Sequence, residues 1–300
     1  MDFHPTVKEE ALLNVVRRYY YATVEQMMLA TGMEMTASQK RMAQQRVNHL
    51  TPKRKKKEEE KTPQEVLYLW RIERRWTKGN LDRPPAYTLS VKSKTYLEAR
   101  GKTVNLVSRN PSPIILDHAL AVNDVLIRAE MFAKNHANTV ELLAFQSDRE
   151  LHRMKIEPPL PVVPDGLVDF KITTPKETTS YPTFFEVDMG TEWGADTGRW
   201  TDKIERYCKF LPKPIQKNSR LQEVFGYKYV TIAVIAFDTE KRVALLKKWT
   251  EQVLSRQKRE DLCEFFYFTN FTRGMSAEEL FTQPRYLIAG DSETSRLFDL

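Results

Sequence analysis

Two stretches constrain this 300-residue chain more than any others: Val163–Phe170, VPDGLVDF, and Tyr181–Glu192, YPTFFEVDMGTE. Both are rich in β-branched and aromatic residues and read as strands, with Thr173–Ser180 as their hairpin connection. Period-2 alternation sends Phe184, Glu186 and Asp188 to one face of the second strand, and Phe185 and Val187 to the other. Two carboxylates on one face of an apolar strand repel each other and resist desolvation. The strand can lie at an edge with its acids in water, or the acids can share a divalent cation with Asp165. A basic helix directly afterwards, carrying Lys203, Arg206 and Tyr207, favours the shared cation.

Three hundred residues lead us to expect two domains. The 41% hydrophobic content is enough for a core, while 29% charged residues and no apolar run near the ~20 of a membrane span point to a soluble chain. The amino terminus lacks a charged-then-apolar leader, and the only cysteines, Cys208 and Cys263, cannot supply a four-ligand zinc site alone. Buried thiols in a cytoplasmic protein are expected. Charge is uneven. Residues 1–110 hold 22 Lys+Arg against 12 Asp+Glu, whereas the remainder holds 25 against 28. A basic first part is suited to a polyanion.

Three helices open the chain. Ala11, Leu12, Val15, Val16 and Tyr19 form a helical stripe, and Thr23 with Gln26 makes a capping box for a second helix closed by Gly32. Thr36 or Ser38 caps a third, with Met42, Val47 and Leu50 facing inward and Lys40, Arg41, Gln44, Gln45, Arg46 and Asn48 outward. Ordinary bundle helices would look the same one at a time. In this order they match a helix-turn-helix whose third helix reads DNA. The run Lys53–Lys61, starting with Lys53 and Arg54, is a solvated loop or a phosphate contact. Glu65–Trp76, as a strand or short helix, and Ala86–Ser90 then give a strand pair around a turn at Lys78–Asn80, which is a wing.

The expected organisation is a winged-helix DNA-binding domain over residues 1–103, a linker over 104–112, a mixed-sheet α/β domain over 113–275 and a loosely held tail over 276–300. The second domain is read as a helix Leu116–Asn135, strands at Thr139–Phe145 and the two central stretches, a helix Gly194–Phe210, a buried strand Tyr229–Phe237, a helix Thr239–Arg256 and a strand Cys263–Phe268. Acids gather at its strand ends: Glu150, Asp165, Glu186 and Asp188. Phosphodiester cleavage needs a nucleophile, a charge clamp and help for the leaving oxygen. Carboxylates holding Mg²⁺ or Mn²⁺ supply the clamp, and Lys203, sharing a helix face with Tyr207 at i, i+4, adds a point charge.

The segment from Pro164 to Gly166, the run FFEVDMGTE from Phe184 to Glu192, Lys203, Tyr207, His118 with Asn123 and Asp124, and DREL from Asp148 to Leu151 together resemble the replication-relaxation family of plasmids and other mobile elements. The likeness covers about residues 8–270. It implies a restriction-endonuclease-like core of the PD-(D/E)xK type following the winged helix, and work on plasmid DNA. Asp165 matches the first acid of that pattern and Glu186 the second. Asp188 stands where the lysine belongs, so Lys203 would substitute for it. Implied roles are metal binding by Asp165, Glu186 and Asp188, assistance by Glu150, phosphate stabilisation by Lys203, and attack by water or by Tyr207, for which a core role is the alternative. The function implied is binding and metal-dependent nicking or relaxation of a specific DNA site in replication or mobilisation. The alternatives are a non-catalytic replication initiator or transcriptional regulator, and a double-strand endonuclease working as a dimer. Expected partners are double-stranded DNA at an origin-like site and a homodimer or other plasmid replication and mobilisation proteins, with no membrane.

Overall fold

A computed structural model describes residues 4–51, 68–74, 83–190, 197–213, 219–237, 239–272 and 274–298. The chain forms two compact units, residues 1–127 and 128–300.

The first unit runs α1 (Val7–Tyr19), β1 (Ala22–Thr23), α2 (Val24–Ala30), α3 (Ala37–Leu50), β2 (Leu69–Arg74), β3 (Arg83–Leu89), α4 (Val91–Glu98) and the beginning of α5 (Pro113–Asn135). Its three strands form an antiparallel sheet in the order β1-β3-β2. The helix starts are fixed by side chains that satisfy otherwise orphaned backbone N–H groups. Thr6 and Glu9 form a capping box on α1, and the Thr23–Gln26 box stands as read from the sequence. Thr36 caps α3, accepting from Gln39 N at 3.2 Å. The inward face of α3 is Ala43, Val47 and Leu50, spaced i, i+4, i+7. Met42 was expected there and lies 38% exposed instead, because the smaller Ala43 takes the close-packed position.

Tyr20 follows α1 with φ of +64°, a left-handed conformation that a side chain disfavours. Asn123 of α5 braces it. The amide Nδ2 donates to the carbonyls on either side, Tyr19 O at 3.2 Å and Tyr21 O at 2.7 Å, and the residue is buried. Asn123→Ala would leave both carbonyls in the interior short of a donor. It is expected to lower stability by about 1–3 kcal/mol in urea denaturation, and a loss under ~0.5 kcal/mol would remove the brace.

The second unit adds β4 (Val140–Ser147), α6 (Asp148–Arg153), β5 (Gly166–Thr173), β6 (Thr178–Asp188), α7 (Thr197–Phe210), α8 (Arg220–Phe225), β7 (Thr231–Ala236), α9 (Glu240–Arg256), a 3₁₀ turn (Glu260–Phe265), β8 (Phe266–Asn270), α10 (Ala277–Thr282), β9 (Tyr286–Ile288) and β10 (Thr294–Ser295). Seven strands form one mixed sheet in the order β10-β9-β8-β7-β6-β5-β4. The β6-β7-β8 pairings are parallel and the others antiparallel. The alternation of β6 holds: Phe184 packs towards Phe210 and Phe225, while Phe185 meets Phe281 on the opposite face. On the Phe184 side, Ile204, Tyr207, Leu246, Val253 and Leu254 of α7 and α9 share its core with Ile232 and Val234 of β7. Phe132, Phe170, Phe281 and Phe298 interlock on the Phe185 side.

Three expectations change. The residues after Ser276 are not a loose tail: they supply α10 and strands β9 and β10, and Phe281, Tyr286 and Phe298 are buried. The sheet needs those rings to cover its apolar face. Cys263–Phe265 lies in the 3₁₀ turn rather than in a strand, and β8 begins at Phe266. The division between the units falls inside α5, after residue 127, and Leu116 and Leu120 pack with Tyr20, Tyr21, Ile72 and Ala86 within the first unit. Lys53, Arg54, the rest of the charge run, the turn at Lys78–Asn80, Thr191, Glu192 and Gly194 lie outside the described residues.

Candidate acid–lysine site

The sheet register brings two acids together. Asp165 immediately precedes β5, and Gly166 pairs with Phe185, so Asp165 sits beside the end of β6. Asp165 N donates to Phe185 O at 3.0 Å, and Asp165 Oδ2 accepts from Val187 N at 2.8 Å. The carboxylate is thus aimed by the backbone of the next strand. Glu186 is 1% exposed, one residue along β6.

Helix α7 supplies the counter-charge. Lys203 Nζ donates to Glu186 Oε2 and stands 3.9 Å from Asp165 Oδ1, while the Tyr207 hydroxyl donates to Glu186 Oε1. One helical turn therefore occupies both oxygens of a buried carboxylate. Trp200 Nε1 donates to Thr250 Oγ1 at 3.1 Å, fastening α7 to α9. Burial pushes the Glu186 carboxyl up to about 8 against the pull of the Lys203 ammonium, and the neighbouring Asp165 charge also raises it. Tyr207 is fully buried, and that burial, followed by the Glu186 charge, lifts its pKa well above the ordinary phenol value. An attacking phenolate needs access and a lowered pKa. Tyr207 has neither, so its geometry is that of a donor holding Glu186 in place.

Asp188 goes elsewhere. Its two oxygens accept from Arg242 Nε and Nη2 of α9, each at 2.8 Å, and Gly190 N donates to Oδ2 at 3.1 Å. Both members of the pair are buried, and the Arg242 guanidinium also lies 5.3 Å from the Trp249 ring centroid. Glu150 is spent on its own helix: Ser147 N and Oγ donate to its Oε2 at 2.8 and 3.1 Å. The site thus gathers Asp165, Glu186, Lys203 and Tyr207, with Asp188 in an adjoining ion pair.

The donor chemistry can be tested against a hard divalent ion. Among the described residues no three His, Cys, Asp or Glu side chains converge as a ligand set. Asp165 Oδ1 and Glu186 Oε2 do flank one position, which the Lys203 ammonium takes. One or two carboxylates with water suffice for Mg²⁺. The Asp165 and Glu186 carboxylates are of the donor type such an ion takes, while Asp188 is held by Arg242.

Of the DNA-facing residues read from the sequence, Lys40, Arg41, Gln44, Gln45, Arg46 and Asn48 lie on α3, and Lys53 and Arg54 lie outside the described residues. Lys40, Arg41, Gln45 and Asn48 are exposed, whereas Gln44 and Arg46 are half-buried. Lys40 pairs with Glu25, and Gln44 Nε2 donates to Asn48 Oδ1 at 2.9 Å and to the Tyr87 hydroxyl at 3.3 Å. The family model described as Replication-relaxation matches residues 13–225. The chain belongs to the replication-relaxation family.

The matched range of this replication-relaxation protein includes α3, Asp165, Glu186, Asp188, Lys203 and Tyr207, and it stops before β7. No curated protein matches the chain, and no solved structure does. Arg242, outside the matched range, was missed by the sequence reading. A signal for it existed: it interrupts the buried stripe of α9 formed by Val243, Leu246, Thr250 and Val253. An arginine on such a face requires a buried anion.

Proposed function

We propose that this replication-relaxation protein binds a specific duplex site through a winged helix and nicks that DNA, in plasmid replication or mobilisation. The order helix-strand-helix-helix-strand-strand in the first unit, with an exposed polar face on α3, supports a winged helix with α3 in the major groove. The mixed sheet with an acid at the start of β5 and another near the end of β6 supports a restriction-endonuclease-like core. The observation that carries nicking is the convergence of Asp165, Glu186 and Lys203 on one point.

Asp165 and Glu186 would hold the Mg²⁺ or Mn²⁺ ion. Such an ion supplies charge neutralisation at a phosphate and an activated water. Lys203, freed from Glu186, places its ammonium against phosphate charge. Tyr207 keeps the Glu186 carboxylate in one orientation, and Arg242 withholds Asp188 from the site. A second reading, a non-catalytic initiator or regulator, is favoured by one feature: both Glu186 oxygens already carry donors in a buried setting.

Conversion of supercoiled origin plasmid to open circles, with Mg²⁺ or Mn²⁺ and then with chelator, separates the two. Metal-dependent open circles are expected. Site-specific binding with no nick in either metal would favour the initiator. The α3 face is tested separately, by fluorescence anisotropy over a salt series. Replacing Arg41 and Arg46 together by alanine is expected to weaken duplex binding roughly tenfold or more and to flatten its salt dependence. Unchanged affinity would remove α3 from the interface.

A further inference from the structure

A cavity of about 410 Å³ lies where α7 ends, lined in part by Leu211, Lys213, Lys228, Tyr229, Glu264 and Phe265. Its chemistry is specific. Tyr229 is 54% exposed, and its ring centroid is 6.4 Å from that of Phe265, the two planes inclined by 31°. Lys213 and Lys228 are exposed at the cavity. Asp261 also lines it, but Arg259 Nε donates to its carboxylate at 2.9 Å, so its charge is largely met. With Asp261 met by Arg259 and the exposed Glu264 carboxylate set against the two ammonium groups, the lining keeps one net positive charge beside its aromatic rings, which suits a flat π-face with an attached phosphate.

The face of α7 leads there. Arg199, Lys203 and Arg206 recur at i, i+4 and i+7 and share one side of the helix; Lys209 borders that side, and Lys213 follows the helix end. Arg199, Arg206, Lys209 and Lys213 are exposed, against one acid, Asp202, on the same flank. From Arg199 to Lys209 the helix rises ~15 Å, room for about four stacked nucleotides. The Lys203 cluster lies along this basic ridge, and the cavity lies at its carboxyl-terminal end.

We propose that α7 carries a single DNA strand, and that the cavity takes one of its bases against Tyr229 with a flanking phosphate between Lys213 and Lys228. The inference rests on DNA being the second unit's substrate, as proposed above, but not on nicking. A strand held at both ends of α7 would lie across the acid cluster, which assigns the second unit unpaired rather than duplex DNA.

The test uses the full chain in EDTA, so that cleavage plays no part. A fluorescein-labelled 12-nucleotide single strand and the corresponding duplex are titrated by anisotropy. Tyr229→Ala is expected to weaken single-strand binding roughly tenfold while leaving duplex binding unchanged; because Tyr229 is exposed, the substitution spares the core. Replacing Lys213 and Lys228 by glutamate should weaken it further and reduce its salt dependence. A single strand carrying 5-iodouracil should photo-crosslink at Tyr229 or Phe265. No single-strand binding by the wild type, affinity within twofold in Tyr229→Ala, or crosslinks confined to the first unit would each overturn the proposal. Loss of single-strand binding in Tyr229→Ala alongside a protein that never nicks would retain the strand path and sink the nickase reading alone.

Discussion

Arg242→Ala is expected to destabilise the second unit by about 3–5 kcal/mol. The arginine makes two 2.8 Å bonds to Asp188 in a buried setting, so its removal leaves a carboxylate uncompensated inside the protein. It also removes the guanidinium that lies over Trp249. Urea denaturation of wild type and variant measures the loss. Adding Asp188→Asn to Arg242→Ala should recover much of it, since a neutral amide is less costly to bury than an unpaired charge. A single-variant loss under about 1 kcal/mol would mean that water or another cation reaches Asp188, and the account of the pair would fail. The same variant reports on function: if Arg242 withholds Asp188 from the site, the double variant should nick as well as the wild type when folded.

Glu186→Gln is expected to abolish nicking, by more than a hundredfold, with duplex binding intact. It should also change the pH dependence of stability. The folded carboxyl titrates at about 8, against an ordinary value of 4.5, chiefly because burial disfavours its charged form. A group raised in this way contributes stability that is fully present below about 4.5 and is lost as pH rises through about 8. The wild type should therefore lose stability relative to Glu186→Gln between pH 5 and 8.5, on the order of 3 kcal/mol. Parallel stability curves across that window would show that the Lys203 ion pair outweighs desolvation. Full nicking by the variant would dismiss Glu186 from catalysis.

Much of this was legible in the chain because local chemistry decides it. The capping box at Thr23 and Gln26 and the alternation of Phe184, Phe185 and Glu186 rest on neighbours within four residues, and both read through to the structure. Lys203 and Tyr207 share a helix face by spacing, and the β5–β6 register carries Asp165 to Glu186. What the sequence hid depends on distant partners. Asp188 looks equivalent to Glu186 until α9 brings Arg242 to it, and Glu150 looks like a site acid until its cap on Ser147 is seen. The last strands were missed because β9 and β10 have three and two residues, too short for any alternation to register.

The parallel pairings at the centre of the sheet also set an order of assembly. Strands β5 and β6 are joined by a short hairpin, so the acids can meet as soon as that hairpin closes. Strand β7 reaches β6 only after α7 and α8 have been threaded across the face, a non-local closure that is intrinsically slow. The docking of α7, which sets Lys203 and Tyr207 against Glu186, is the step that takes this carboxyl out of water. Conditions that hold Glu186 protonated ease that last step, so refolding should run faster on the acid side of neutrality than on the alkaline side.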